Sequence, residues 1–229
     1  MFIKTRLIMR KKSVIELLDY ASEQIIELEN KIKTGSVDRV LIKNVLENLR
    51  SALDYVAHDI SDKLSSPNSR VYFPYAKNLN EFERSVKRNL PNLDKEFPDI
   101  YNIIKSIQPF ESSSNWLILV CGLVNAAKHH NLNEIEEKDI IHGFMGGGMH
   151  LSNVGSFNIK NAKLNGLNIK SIVVKEGELE ELILDNFSEL VFLKKSLVTF
   201  LGEEHEICEF LKYGHSNIKK ISNDIYNFI

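Results

Sequence analysis

Asn48-Leu-Arg-Ser-Ala-Leu-Asp-Tyr-Val-Ala-His58 decides the fold class of this chain. Leu49, Leu53 and Val56 recur at helical spacing on one side, while Arg50, Asp54 and His58 follow one another four residues apart on another. A helix with a single apolar face has to bury that face against other elements. The stripe extends through Leu46, Leu49, Leu53, Val56, Ile60 and Leu64, so a helix is expected over residues 37–64. Upstream, Ile15, Leu18, Ile25, Leu28 and Ile32, with Ser22 as the exception, predict a helix over residues 13–33, and Gly35 breaks the two apart. Two long amphipathic helices joined by a short turn make an antiparallel hairpin, the start of a helical bundle.

Proline and glycine divide the rest. All five prolines, Pro67, Pro74, Pro91, Pro98 and Pro109, fall in one connecting stretch, and nine of the eleven glycines lie from Gly143 onward. Short helices are expected in the connector over residues 80–88, starting at an Asn cap, and 98–106, with proline in the first turn. Ser112-Ser-Ser-Asn115 reads as the cap of a helix over 115–131, whose Trp116, Leu117, Leu119, Val120, Leu123 and Val124 make it apolar nearly all round and hence central. From Ile140 the texture is β-like, with candidate strands at 140–144, 150–159, 167–174, 179–184 and 197–201 and a hairpin turn at Glu176-Gly-Glu178. A last amphipathic helix over 205–228 carries Ile207, Phe210, Leu211, Ile218, Ile221, Ile225 and Phe228, with Gly214 as a bending point. The expectation is an α+β fold in one domain. A bundle core (13–134) holds a small inserted antiparallel sheet (138–203), and the C-terminal helix (205–229) packs back on the bundle.

Composition excludes several classes. A net charge of −2 gives no global attraction to nucleic acid, so such binding needs a local patch. Lys4, Arg6, Arg10, Lys11 and Lys12 form a basic start that no apolar run follows, which reads as a solvated arm. The longest apolar run, residues 116–124, is too short to span a bilayer. Cys121 and Cys208 lie far apart without metal-ligand spacing, which fits a reducing, cytoplasmic compartment and no metal or other cofactor.

The chemistry-bearing residues fall in two groups. Arg50, Asp54 and His58 place a carboxylate between a cation and an imidazole, an arrangement suited to acid–base work or phosphate binding and also common as surface charge. Arg50 and His58 are eight residues apart, roughly 12 Å along a helix, so one phosphate does not reach both. The central helix offers a nearer imidazole in Asn125-Ala-Ala-Lys-His-His130, where Asn125, Lys128 and His129 share a stripe that Gly122 continues. If the two helices face each other, Arg50 and Asp54 meet Asn125, Lys128 and His129 in one pocket. Weaker signals are Met145-Gly-Gly-Gly-Met149, which lacks the ending of a phosphate loop; His142 and His150 beside it; and Glu203-Glu204-His205, which reads as a helix start. Val71-Tyr-Phe-Pro-Tyr75 could stack bases, and reads first as an anchor for the connector.

Asn48-x-Arg-Ser-Ala-Leu-Asp-Tyr55, Phe73-Pro74, Gln108-Pro109-Phe110 and Asn125-x-x-Lys-His-His130 occur in the order found in a widespread, uncharacterised bacterial helical family, which the chain resembles over most of its length. The bundle in turn looks like HEPN domains, many of them metal-independent ribonucleases of toxin or phage-defence type. Their active site pairs an Arg and a His four to six residues apart, usually across a homodimer. Here seven residues separate Arg50 from His58, and no Arg stands at that distance before His129. The resemblance implies a cytoplasmic, homodimeric protein acting on RNA. Arg50 would bind phosphate, His129 would move the proton, Asp54 would orient, and Asn125, Lys128 and His58 would hold substrate. The alternative is a non-catalytic binding or scaffold module whose polar pocket is structural or takes a small anion.

Overall fold

The computed structural model describes the backbone of residues 2–129, 135–145, 149–164, 167–184, 190–200 and 206–229. Side chains are described throughout these except for residues 2–9, 126–129, 141–145, 149, 153, 164, 167 and 190–196. The fold is α+β. Its elements run α1 (Phe2–Lys33), α2 (Arg39–Ser61), α3 (Leu79–Asn89), α4 (Leu93–Glu96), α5 (Pro98–Ser106), α6 (Pro109–Ser112), α7 (Trp116–His129), β1 (Ile135–Met145), β2 (Met149–Val154), β3 (Phe157–Leu164), β4 (Leu167–Lys175), β5 (Glu178–Leu184), β6 (Leu190–Phe200) and α8 (Ile207–Tyr226). They form two compact units, Met1–Asn133 with Cys208–Ile229, and Glu134–Ile207.

In the helical unit, α1 and α2 form the expected hairpin. Gly35 takes φ +80°, which a side chain would disfavour, and the amides of Gly35 and Ser36 close on the carbonyls of Ile32 and Lys31. Asp38 then caps α2, accepting from the Leu41 amide at 2.9 Å, and Lys31 reaches the same carboxylate at 2.6 Å. Val14, Leu18, Ala21, Ile25 and Leu28 bury the α1 face, and Leu46, Leu49, Leu53, Val56 and Ile60 bury that of α2. Each large side chain taken fully out of water contributes about 1.5–3 kcal/mol. Ile15 is exposed, because the buried stripe runs through Val14 in strict alternation of four and three residues. Gln24 and Asn48 bond across the hairpin at 2.9 Å.

Several boundaries differ from the sequence expectation. The first helix begins at Phe2 rather than near Ser13, and Arg10 is no solvated arm: it bonds the fully buried Asp59 at 3.1 Å and Asp62 at 2.6 Å. The cap of α3 is Asn78, which accepts from the Glu81 amide, not Asn80. In α7, Trp116, Leu117, Val120, Cys121 and Val124 are buried, but Gly122 and Asn125 are exposed, so the helix is amphipathic rather than enclosed. A Cβ at Gly122 would meet nothing within 4 Å, so no close approach explains that glycine.

The last helix, α8, returns to the bundle and runs unbroken through Gly214, where a Cβ would sit 3.5 Å from Val120 and 3.9 Å from Leu49. His215 donates to the Leu18 carbonyl at 2.9 Å, and Tyr226 donates to Asp59 at 2.7 Å. Asp59 thus ties α1, α2 and α8 together. Phe228 is half exposed beyond the helix end.

In the second unit the strands form two three-stranded antiparallel sheets, ordered β2-β1-β6 and β3-β4-β5, rather than one. The stretch expected as a single strand over 150–159 is broken at Gly155-Ser156 into β2 and β3, which lie in different sheets. Ile169 and Ile172 form the core of the second sheet, with Phe157, Ile159, Ala162 and Leu184 packed against them. Glu176 and Gly177 both take positive φ, the two-residue turn that suits the twist of a β4–β5 hairpin. Gly177 is required there twice over, since a Cβ would fall 2.4 Å from the Asp139 backbone. Residues 146–148 of the glycine-rich stretch and Glu203, Glu204 and His205 lie outside the described residues.

Candidate functional site

The site is built on an extended, helix-free stretch, residues 71–76, which runs between α2, α3, α5 and α7. Buried backbone without secondary structure has to find its hydrogen bonds in side chains, and this stretch does. Asp54 on α2 accepts from the Phe73 amide at 2.8 Å. Asn89 on α3 accepts from the Tyr72 amide at 3.1 Å. Gln108, with no exposure, accepts from the Ala76 amide at 3.0 Å and donates to the carbonyls of Pro74 and Ile104 at 3.3 and 2.9 Å. Val71, Phe73, Pro74 and Ala76 face inward, whereas Tyr72 is exposed.

So held, the stretch lays Tyr75 against Arg50, whose guanidinium carbon stands 5.0 Å from the ring centroid. The other contacts of Arg50 are equally definite. Its Nε and one Nη each reach an Asp54 carboxylate oxygen at 3.2 Å, and the remaining Nη contacts Cys121 Sγ on α7. One turn beyond Cys121, Asn125 donates to the Tyr75 hydroxyl at 3.2 Å. The Arg50 group of α2 and the Asn125 group of α7 therefore meet, with Tyr75 and Cys121 as the bridging residues.

Burial opposes the charge on Arg50, but the neighbouring Cys121, Asp54 and Tyr75 outweigh it and raise the guanidinium pKa. Burial pushes the Cys121 thiol up to about 11, only partly opposed by Arg50. The thiol so raised is not the counter-charge at neutral pH, and Asp54 is the anion that balances Arg50 there.

His58 does not join. Asp54 gives both oxygens to Arg50 and Phe73, and the His58 ring has no hydrogen bond among the described residues. Lys128 and His129 complete the α7 backbone, and their side chains lie outside the described residues, as does His130. His129 follows Asn125 by four residues, about 6 Å along the axis.

Sequence reasoning missed Tyr75 and Cys121 as partners of Arg50. Cys121, Asn125 and His129 share one stripe at four-residue spacing, a signal that was available; for Tyr75 the signal was its place next to Phe73-Pro74. Beside the site, Tyr75, Ala76, Glu81, Arg84, Ser85 and Arg88 line a groove of about 270 Å³. Among the described residues, no group of three or more His, Cys, Asp or Glu could hold a metal ion, and no helix is long and apolar enough to cross a membrane. The chain matches no protein-family model, no curated protein and no solved structure.

Proposed function

We propose that the helical unit is a non-catalytic binding module in which Arg50, Asp54, Tyr75, Cys121 and Asn125 form an architectural clamp. One observation carries this reading: all three nitrogens of Arg50 already have a protein partner, and Tyr75 lies within cation–π range. An arginine that clamps a scissile phosphate needs its N–H groups aimed at the ligand, and most of those of Arg50 are already engaged by Asp54 and Cys121. The same Asp54 holds the Phe73 amide, so the ion pair fixes the connector. Cys121 and Cys208 are both buried and form no disulfide, in keeping with a cytoplasmic protein.

A second reading, the HEPN-like metal-independent endoribonuclease of toxin or phage-defence type, is supported by the meeting of the two motif groups through Tyr75 and Asn125. In that reading a homodimer supplies the site, Arg50 binds phosphate and His129 moves the proton. The test is an RNA-cleavage assay of wild type, Arg50→Ala and His129→Ala, each with its unfolding curve. The binding-module reading expects no cleavage by wild type and a loss of stability in Arg50→Ala. Cleavage that both substitutions abolish in folded protein overturns it in favour of the ribonuclease.

A further inference from the structure

The −2 net charge hides a local reversal. Residues 70–90 carry Arg70, Lys77, Arg84, Lys87 and Arg88 against only Glu81 and Glu83. Two of these cations, Arg84 and Arg88, stand four apart on α3 and line the groove with Ser85, Glu81, Tyr75 and Ala76. Both are exposed, and neither makes a side-chain hydrogen bond or ion pair among the described residues. That contrasts with Arg50 and Arg10, each of which is ion-paired to a carboxylate. Ser85 is buried, and its hydroxyl accepts only a long bond of 3.4 Å from Asn89, so its proton is available to an acceptor. The wall opposite α3 is rigid, because Tyr75 and Ala76 belong to the stretch that Asp54, Asn89 and Gln108 hold by its backbone.

We propose that this groove binds a phosphate ester, with Arg84 and Arg88 as two cationic arms and the Ser85 hydroxyl as the neutral donor. Side chains at i and i+4 on a helix start about 5–6 Å apart, close enough for two arginines to converge on one phosphate. Glu81 is the one anion lining the groove. It leaves a single net positive charge, which suits a diester or monoester and disfavours a polyphosphate. A volume of about 270 Å³ falls just under the roughly 300 Å³ at which small-molecule pockets begin. The groove therefore takes a phosphate with its sugar rather than a whole dinucleotide. Tyr75 supplies the aromatic surface beside them.

This assignment names a ligand for the binding-module reading and shares Tyr75 with the clamp, but its cations are Arg84 and Arg88 rather than Arg50, so the two fail separately. A phosphate ester can come from a free nucleotide or from a nucleic-acid backbone. Two fluorescence titrations of the full chain separate the sources. One uses a labelled adenosine monophosphate; the other uses a labelled single-stranded 2′-O-methyl oligoribonucleotide, which lacks the hydroxyl needed for cleavage. Wild type is expected to bind at least one probe, weaker in higher salt, and tighter for the oligonucleotide if the backbone is the source. Arg84→Ala and Arg88→Ala are each expected to weaken binding about ten-fold, with the helical signal and melting temperature unchanged because both side chains are exposed. No binding of either probe at millimolar concentration, or an Arg84→Ala/Arg88→Ala double variant that binds like wild type, overturns the assignment. Cleavage of ordinary RNA by wild type would overturn the non-catalytic reading and leave the groove to be judged by these titrations.

Discussion

Asp54→Ala is the sharpest perturbation of the clamp. It strips Arg50 of two contacts at 3.2 Å and leaves the Phe73 amide, now bonded at 2.8 Å, without an acceptor. Breaking a fully buried ion pair by removing one partner costs about 3–5 kcal/mol. The Arg50 and Asp54 side chains keep 13% and 21% of their exposure, so water screens part of that loss, and roughly 2 kcal/mol is the fairer share. An orphaned buried amide adds about 1–2 kcal/mol. The expected total is about 3–4 kcal/mol, or a melting temperature lowered by roughly 6–15 °C for a chain of this length. Arg50→Met should cost about 2 kcal/mol, since the Phe73 amide keeps its acceptor. Arg50→Met/Asp54→Ala, in which the ion pair is lost only once, should cost less than the sum of the singles by about 1–2 kcal/mol. Urea unfolding followed by helical circular dichroism measures all three. A stability of Asp54→Ala within about 0.5 kcal/mol of wild type would refute the clamp, and additive losses would refute the coupling.

Other elements make separate predictions. Tyr226→Phe removes the donor at 2.7 Å to the fully buried Asp59 and should cost about 1.5–3 kcal/mol at neutral pH. Burial raises the folded-state pKa of Asp59 while Tyr226 and Arg10 hold it down. A raised folded value means that its contribution to stability is full in acid and is lost as pH rises through that value. The variant raises it further, so the gap to wild type should widen from about pH 3 to pH 7; a gap independent of pH in thermal melts would contradict this. Gly214→Ala adds a methyl at ordinary contact distance from Val120 and Leu49 inside α8, and should stabilise by about 0.5–1 kcal/mol; a lower unfolding midpoint would show that the helices cannot accept it. Gly177→Ala places a methyl on the Asp139 backbone at a positive φ, so backbone amide exchange in β4 and β5 should rise while that of α2 is unchanged; protected β4 and β5 amides would refute the turn.

The helices were legible because burial leaves a period in the sequence. Leu46 through Ile60 could be read directly, and Pro98 marked the first turn of α5. Even there, periodicity chose Ile15 over Val14, since adjacent apolar residues sit only about 100° apart on a helix and either can start the stripe. The sheets were less legible for a stronger reason. Alternation shows that a segment is extended, whereas the partner of each strand is decided by pairings between distant residues, such as Ile135 with Phe200. Nothing local announces that Gly155-Ser156 separates two sheets rather than bending one strand.

The site shows the same division, and there it bears on function. Arg50 and Asp54 were legible as a pair because four-residue spacing is a local rule. What that pair does depends on groups the rule cannot reach. Cys121 lies 71 residues away, and Phe73 lies 19 residues from Asp54. With those partners in view, the arginine that looked like a ligand for phosphate is tied to Asp54 and Cys121, and Gln108 and Asp54 become the means of holding a connector that has no helix or strand of its own. Two exposed cations without such partners among the described residues, Arg84 and Arg88, lie instead on α3, where residue spacing drew attention only to the helix and its cap. A charged residue is evidence of a site only after its intramolecular partners have been counted. By that measure Arg84 and Arg88 are better placed than Arg50 to meet an anion from outside.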